Sequence, residues 1–188
     1  LTDTEKSSLI TALSPFTVAS ITPVIVDTQT TNLILGINFQ FDSSKTTETT
    51  TSLASLVSST LRNYNTSNLA QFDGAFRHSK VTGLIDDTDT AITSNITTVT
   101  LAHNLTPTLS TATAYIIQLN NAFYNPHSGH NSSSGGTITY STGEIKISSV
   151  NIISVENVDE VASSVIRLTV TPDSLDIIPV RNQILKID

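Results

Sequence analysis

The 188-residue chain contains no cysteine, methionine or tryptophan. Without cysteine it can form neither a disulfide framework nor a thiolate metal site, and the redox compartment stays open. Without methionine, Leu1 is not an initiating residue, so we expect a processed form or part of a longer protein. Hydrophobic runs are short, and the N-terminus lacks the basic and apolar regions of a signal peptide. We therefore expect a soluble protein without a membrane span.

Charge is also scarce, because Asp, Glu, Lys and Arg make up 13% of the residues and the net charge is −7. The nine basic residues are scattered along the sequence. A nucleic-acid-binding surface needs clustered Lys and Arg, so this composition argues against binding of nucleic acid. Serine and threonine are abundant instead, so the predicted surface is polar but mostly neutral. Hydroxyls and amides cost less to bury than ionised groups do. This composition favours permanent assembly with other subunits.

The stretch from Leu33 to Leu105 predicts an alternation of strand and helix. Apolar residues recur at every second position from Leu33 to Phe41, which is typical of a strand with one face in a core. Ser44 then offers an N-cap, and a helix to Tyr64 is predicted by apolar residues at helical spacing: Leu53, Leu56, Val57, Leu61 and Tyr64. Two shorter helical faces follow, the first from Phe72, Ala75 and Phe76, and the second, capped by Ser79, from Val81, Leu84 and Ile85. Strand alternation resumes from Ile96 to Leu105.

The predicted central helix is weak by itself. Its first turns carry β-branched residues, which are disfavoured in helices by a few tenths of a kcal/mol each: Thr46, Thr47, Thr49, Thr50 and Thr51. Burial of each large apolar side chain against the preceding strand contributes about 1.5–3 kcal/mol, which outweighs this deficit. The helix is therefore expected to depend on its packing against the sheet.

The N-terminal part predicts a connector followed by a hairpin. Thr2 and Glu5 have the spacing of a capping box, so a short helix over residues 3–13, ended by Pro15, is expected. The apolar run within residues 21–27 predicts a strand that forms a hairpin with the strand beginning at Leu33.

Beyond Pro107 the pattern is typical of a compact β unit. Strands are predicted over residues 115–119, 137–140, 144–147, 150–155, 165–171 and 184–187, with a helix possible only around 158–162. Ser141-Thr142-Gly143 predicts a tight hairpin, and the Gly- and Ser-rich segment from His127 to Gly136 predicts a mobile tip. The fold class is therefore α+β: a hairpin, helix and strand module followed by a small antiparallel β-rich domain. The expected domains are 1–20 (helical connector), 21–108 and 109–188.

The histidines and acids offer no convincing chemical site. His127 and His130 have the i, i+3 spacing of metal ligands, but no Cys, Asp or Glu lies nearby, so a solvated loop is favoured. His78 and His103 stand alone, and His103 shares a strand face with Val99, which favours a half-buried structural role.

The acidic and serine residues give the same answer. Asp86, Asp87 and Asp89 lack the glycine and distal glutamate of a calcium loop, so turn roles account for them. No G-x-S-x-G elbow is present. We therefore predict no catalytic residue, no metal and no cofactor.

Phe123-Tyr124-Asn125 is the one candidate contact segment. Two adjacent aromatic residues at a strand end point to opposite faces, so one can be exposed. Burial of both rings in the core is the favoured alternative. An exposed ring would instead be an interface anchor of the kind enriched in hot spots.

Several motifs together resemble the C-terminal half of a known family. These are Phe72, Phe76-Arg77, Ser79, Leu84-Ile85-Asp86, Asp89 and Val99-Thr100-Leu101, then Tyr140-Ser141-Thr142-Gly143-Glu144-Ile145, then Asp176-Ile177 with Arg181-Asn182-Gln183-Ile184-Leu185. In this order they resemble the baseplate wedge proteins of contractile-tailed bacteriophages, the gene product six type of the baseplate J-like family. Each motif alone is weakly specific, because it consists mostly of residues that begin or end helices and strands. Their order and spacing make the set specific, and it extends from about Ile21 to the end.

The resemblance implies a structural, non-enzymatic subunit of the virion. Proteins of this type dimerise, their dimers join neighbouring wedges into a ring around the tail hub, and other wedge subunits dock on them. It implies assembly in the bacterial host cytoplasm, with neither nucleic acid nor membrane as a partner. Family members carry a further N-terminal half, which we expect this sequence to lack.

Two other functions compete with this interpretation. The hydroxyl- and Asn-rich composition also suits a surface adhesin or a carbohydrate-binding β module, although the absence of tryptophan disfavours it. A hydrolase that uses the Asp cluster or the His127 and His130 pair ranks last.

Overall fold

A computed structural model describes residues 2–17, 24–25, 28–126, 132–133, 135–155 and 164–188. Within them the chain forms three α-helices, α1 (Asp3–Leu13), α2 (Thr50–Tyr64) and α3 (His78–Asp86). The strands are β1 (Gln29–Phe41), β2 (Ile92–Leu105), β3 (Thr113–Gln118), β4 (Ser132–Ser133), β5 (Gly136–Thr139), β6 (Glu144–Val150), β7 (Ile166–Val170) and β8 (Gln183–Ile187). The predicted mixed α+β fold is confirmed. No helix among these residues is long and apolar enough to cross a bilayer.

The first sheet has the strand order β7-β2-β1-β8. β1 and β2 pair antiparallel along nearly their whole length, from Asn32 opposite Ala102 to Phe41 opposite Ile92. β7 and β8 extend the sheet only at one end of this long pair, where β7 pairs with residues 101–105 and β8 runs parallel to residues 29–33. The other end of the β1/β2 pair therefore projects as a two-stranded ribbon.

Helix α2 buries one stripe of side chains, made of Leu53, Val57, Leu61 and Tyr64. Two details of its prediction are wrong. The helix begins at Thr50 with Thr49 as its N-cap, whereas Ser44 donates from its amide and hydroxyl to the Asp42 carboxylate in a turn before it. Leu56 is 42% exposed because it lies beside the buried stripe.

The segment between α2 and α3 is not the predicted helix. Phe72 is 59% exposed, and Phe76 is fully buried in an isolated bridge with Ile177. Pairing with a distant segment there replaces the local helical bonds. α3 begins at His78, so Ser79 lies inside the helix and does not cap it.

The second sheet has the order β3-β6-β5-β4, and the predicted hairpin at Ser141-Thr142-Gly143 is confirmed between β5 and β6. The predicted strand over 150–155 is wrong: β6 ends at Val150, and Ile152 makes only an isolated bridge to Leu109. β7 and β8, expected with this sheet, lie in the first one.

The predictions for residues 158–162, for most of 21–27, and for His127, His130 and most of their loop fall outside the described residues.

One buried cluster joins residues from both parts of the chain. Leu119 and Phe123, which follow β3, are in the same cluster as Leu33, Leu101 and Leu185 of the first sheet. Gln183 is fully buried beside it, and its amide nitrogen donates to the Thr31 hydroxyl and to the Leu119 carbonyl oxygen. The amide thus ties the first sheet to the end of β3. A domain division after Pro107 stays a prediction.

Candidate interaction surfaces

The predicted titratable candidates lie apart and serve the fold. His78 Nε2 donates to the Thr97 carbonyl oxygen (2.9 Å), and burial lowers the pKa of the half-buried His103. Asp87 ends α3, and Asp89 accepts a hydrogen bond from the Ala91 amide (2.8 Å). No group of three or more potential metal ligands occurs among the described residues. The two acids therefore act in a cap and a turn, His78 connects α3 to β2, and His103 is a half-buried residue of β2.

An ion pair connects α3 with the loop before β8. Arg77 Nη1 donates to Asp176 Oδ2 (2.9 Å), and the His78 amide donates to Asp176 Oδ1 (2.9 Å). Asp176 therefore places a negative charge at the N-terminus of α3, where the helix dipole favours it. The backbones of Phe76 and Ile177 exchange two hydrogen bonds directly beside this pair. Two motifs of the family resemblance, almost a hundred residues apart, thus meet in one contact.

We expect Asp176→Asn to destabilise the protein at neutral pH but not in acid. The bond from Arg77 and then the His78 amide lower the pKa of Asp176 below its ordinary value of 3.8. A carboxylate with a lowered pKa stabilises the fold above that ordinary value, and its contribution is lost as the pH falls through the folded-state pKa. The difference in Tm between the variant and the wild type, measured from pH 7 to pH 2, should therefore shrink towards zero at the acid end. Asp173→Asn removes the same charge from the same loop outside this pair and is the control variant, and a pH-independent difference for Asp176→Asn would contradict the prediction.

The segment Phe123-Tyr124-Asn125 divides its two rings between core and surface. The Phe123 amide donates to the Tyr140 carbonyl oxygen (2.8 Å), and the Tyr124 amide donates to the Thr171 carbonyl oxygen (2.9 Å). The segment is therefore hydrogen-bonded to the β5–β6 hairpin on one side and to the residue after β7 on the other. Phe123 is buried, whereas Tyr124 is 57% exposed. Tyr124 lines a groove of about 280 Å³ together with Phe123, Pro126, Ile138, Tyr140, Ile145, Val170 and Thr171.

A second cleft, of about 510 Å³, lies between the two sheets. The first sheet lines it with Gln29, Thr30, Thr31 and His103, β3 lines it with Ile116 and Gln118, and Thr28 lines it from directly before β1. No Phe, Tyr or Trp is among these lining residues, so this cleft lacks the ring platform that a carbohydrate-binding module would need.

The β1/β2 ribbon carries an uncharged face that is open to solvent. Directly opposite residues share a face, and the outer face consists of Ile34, Gly36, Asn38 and Gln40 opposite Thr100, Thr98, Ile96 and Ser94. Ile96 is 70% exposed there. Apart from His103, β1 and β2 contain no titratable side chain. Our prediction from the sequence followed only the buried face of β1 and overlooked this one. The sequence feature that could have indicated this face is the absence of charged residues at the outward-facing, alternate positions of β1 and β2.

Comparison with known protein families finds a match to the part of the chain that contains the β1/β2 ribbon. Residues 33–104 match the family model of baseplate structural protein gp6, C-terminal domain III. The matched segment runs from β1 through α2 and α3 to β2, so it contains the ribbon and its helices. No curated protein matches the chain. Over residues 33–104, from β1 to β2, the chain is therefore similar to the C-terminal part of the gp6-type phage baseplate structural proteins.

Proposed function

We propose that this chain is a ring-forming subunit of the baseplate wedge. It pairs with a second copy of itself, the pairs join neighbouring wedges around the tail hub, and other wedge subunits dock on it. The match to a baseplate structural family carries the proposal. The role is mechanical, since the chain transmits force through contacts between subunits and carries out no reaction.

The described surface supports repeated burial against other subunits. Neutral polar groups dominate the exposed residues of β1 and β2, and such groups can be covered without the cost of removing ions from water. Large apolar side chains are also exposed on both sheets, among them Ile96 and Ile116. Exposed apolar patches on soluble proteins mark contact sites when they are contiguous with polar rims.

Within the segment Phe123-Tyr124-Asn125 we propose that Tyr124 contacts a neighbouring wedge subunit. Its ring is exposed beside an apolar groove, while Phe123 anchors the segment in the core. Tyrosine at the edge of a pocket combines apolar area with a hydroxyl donor, which suits an interface anchor.

Sedimentation equilibrium of the chain tests self-pairing directly. We expect a reversible monomer–dimer equilibrium with a dissociation constant below about 100 µM, because a specific two-fold pair buries at least about 1,000 Å². High salt should weaken the pair little, since few charges lie on β1 and β2. A single monomeric species up to about 100 µM would overturn self-pairing of this chain.

A further inference from the structure

We infer that residues 35–39 at the free edge of β1 pair antiparallel with the same residues of a second copy, on a two-fold axis at Ile37. This rests on the proposed function and adds to it the surface through which two copies meet. A two-fold interface must be self-complementary, and an antiparallel strand pair centred on one residue satisfies this requirement.

The hydrogen bonds of β1 show which of its backbone groups are free. The Gln29 amide donates to the Asn182 carbonyl oxygen, and the Leu33 carbonyl oxygen accepts from the Asp188 amide, so these two residues face β8. Backbone groups alternate sides along a strand, hence Leu35, Ile37 and Phe39 face the same edge. β8 ends opposite Leu33, and no described residue bonds to that edge beyond it.

The outer edge of β2 provides the contrast. β7 pairs with its residues 101–105. Along the rest of the edge, His78 Nε2 of α3 donates to the Thr97 backbone carbonyl oxygen, and the side-chain nitrogen Nδ2 of Asn95 donates to the Thr82 carbonyl oxygen (2.9 Å) and to the Asp86 carboxylate (2.7 Å), both in α3. A strand and a helix thus cover one side of the ribbon. Only the β1 side remains without a partner in the described part of the chain.

The sequence of β1 lacks the residues that usually prevent a free strand edge from pairing with another strand. Free edges of natural sheets are protected by charged residues, by proline or by bulges. β1 has neither charge nor proline from Gln29 to Phe41, and its register shifts only at its end, between Gln40 and Phe41. A copy of the same strand meets no like charge, although the whole chain carries a net charge of −7. A second copy is therefore the partner that this edge fits.

The geometry of the pair follows from the two-fold axis. Ile37 lies opposite Ile37 of the second copy, and Leu35 lies opposite Phe39. Each of the three residues then donates one backbone hydrogen bond and accepts one. Leu35, Ile37 and Phe39 are only partly buried against the core, and the pair would cover their remaining apolar surface with the same side chains of the second copy. Aliphatic–aromatic pairs of this kind stabilise adjacent strands.

A single cysteine tests the axis, because the natural chain has none. Residues opposite each other in a hydrogen-bonded pair have Cα atoms about 5.5 Å apart, which permits a disulfide. Under a mild oxidant, Ile37→Cys should convert most of the protein into a covalent dimer. Ile96→Cys is the matched control: its side chain is more exposed, but it lies one strand farther from the axis and should remain largely monomeric.

Each outcome decides between the claims. A wild-type dimer with no cross-link in Ile37→Cys would overturn the β1 pairing but leave the proposed function intact. A wild-type chain that stays monomeric would overturn both. Equal cross-linking of both variants would reveal non-specific collision and count against the axis.

Amide hydrogen exchange of the wild type keeps the inference testable if Ile37→Cys does not fold. Protection of the Leu35, Ile37 and Phe39 amides should rise about tenfold or more from dilute to concentrated protein. The amides of Ile34 and Asn38, which face β2, serve as the internal reference. Unchanged exchange at Leu35, Ile37 and Phe39 in a dimeric sample would overturn the pairing, and place the contact elsewhere.

Discussion

Leu61→Ala will lower the free energy of unfolding by about 2–5 kcal/mol, the range found when a buried leucine is truncated in a core. Leu61 belongs to the cluster that joins α2 to Leu33 of β1 and Leu185 of β8. Its removal leaves a cavity that the surrounding strands cannot fill, because they are fixed by their pairing. Urea unfolding followed by circular dichroism measures the loss.

Leu56→Ala is the matched control on the same helix. Leu56 is 42% exposed, so its truncation should cost less than about 1 kcal/mol. Both changes remove the same atoms from a leucine in α2 and alter helix propensity equally. Equal losses for the two variants would show that α2 does not dock on the sheet through the stripe described above.

This pair of leucines also shows where sequence reasoning stops. The pattern at helical spacing correctly predicts the helix and all four of its buried positions, Leu53, Val57, Leu61 and Tyr64, and is wrong only for Leu56. The width of the buried stripe depends on how the helix lies on the sheet, which periodicity does not contain. The same limit applies to the N-cap, because Ser44 and Thr49 are both chemically suitable and only the path of the chain after β1 selects Thr49.

Long-range pairing was the other part that the sequence could not supply. Alternation predicts the strands near residues 165–171 and 184–187, but nothing local indicates that they join β2 and β1. Phe76 shows the same effect, since a bridge to Ile177 replaces the predicted helical turn. For the candidate surfaces, the favoured prediction that both rings lie in the core is wrong, because Phe123 is buried and Tyr124 is exposed. The free edge of β1 was not predicted, because an edge is defined by which strands pair.

The contacts within the fold differ in chemistry from the surface of the β1/β2 ribbon. Contacts that hold the chain together are directional and specific, such as Arg77 with Asp176 and Gln183 with Thr31. The surface left over is neutral and extends along β1 and β2. The proposed pairing with a second copy would use this arrangement, since the fold of each copy is complete before its free edge is occupied.

Gly143→Ala will destabilise the chain by at least about 2 kcal/mol, because both the backbone and the space around it exclude a side chain. Gly143 has a φ of 68° and closes the β5–β6 hairpin through its amide, which donates to the Thr139 carbonyl oxygen (3.0 Å). A Cβ atom at this position would lie 2.1 Å from the Asn121 carbonyl oxygen. Since the Leu119 amide donates to the Gly143 carbonyl oxygen (2.9 Å), the clash would also disturb the segment that carries Tyr124.

Gly83→Ala is the control with the opposite expected sign. Gly83 lies inside α3, and a Cβ atom there meets no heavy atom within 4 Å. Alanine should therefore stabilise the chain by up to about 1 kcal/mol through helix propensity and a smaller entropy of the unfolded state. Urea unfolding of both variants at equal m-values measures the two effects on one scale. If Gly143→Ala left stability unchanged or raised it, as Gly83→Ala is expected to do, the hairpin would not require glycine at this turn, and the position of Tyr124 would rest on the bonds to Tyr140 and Thr171 alone.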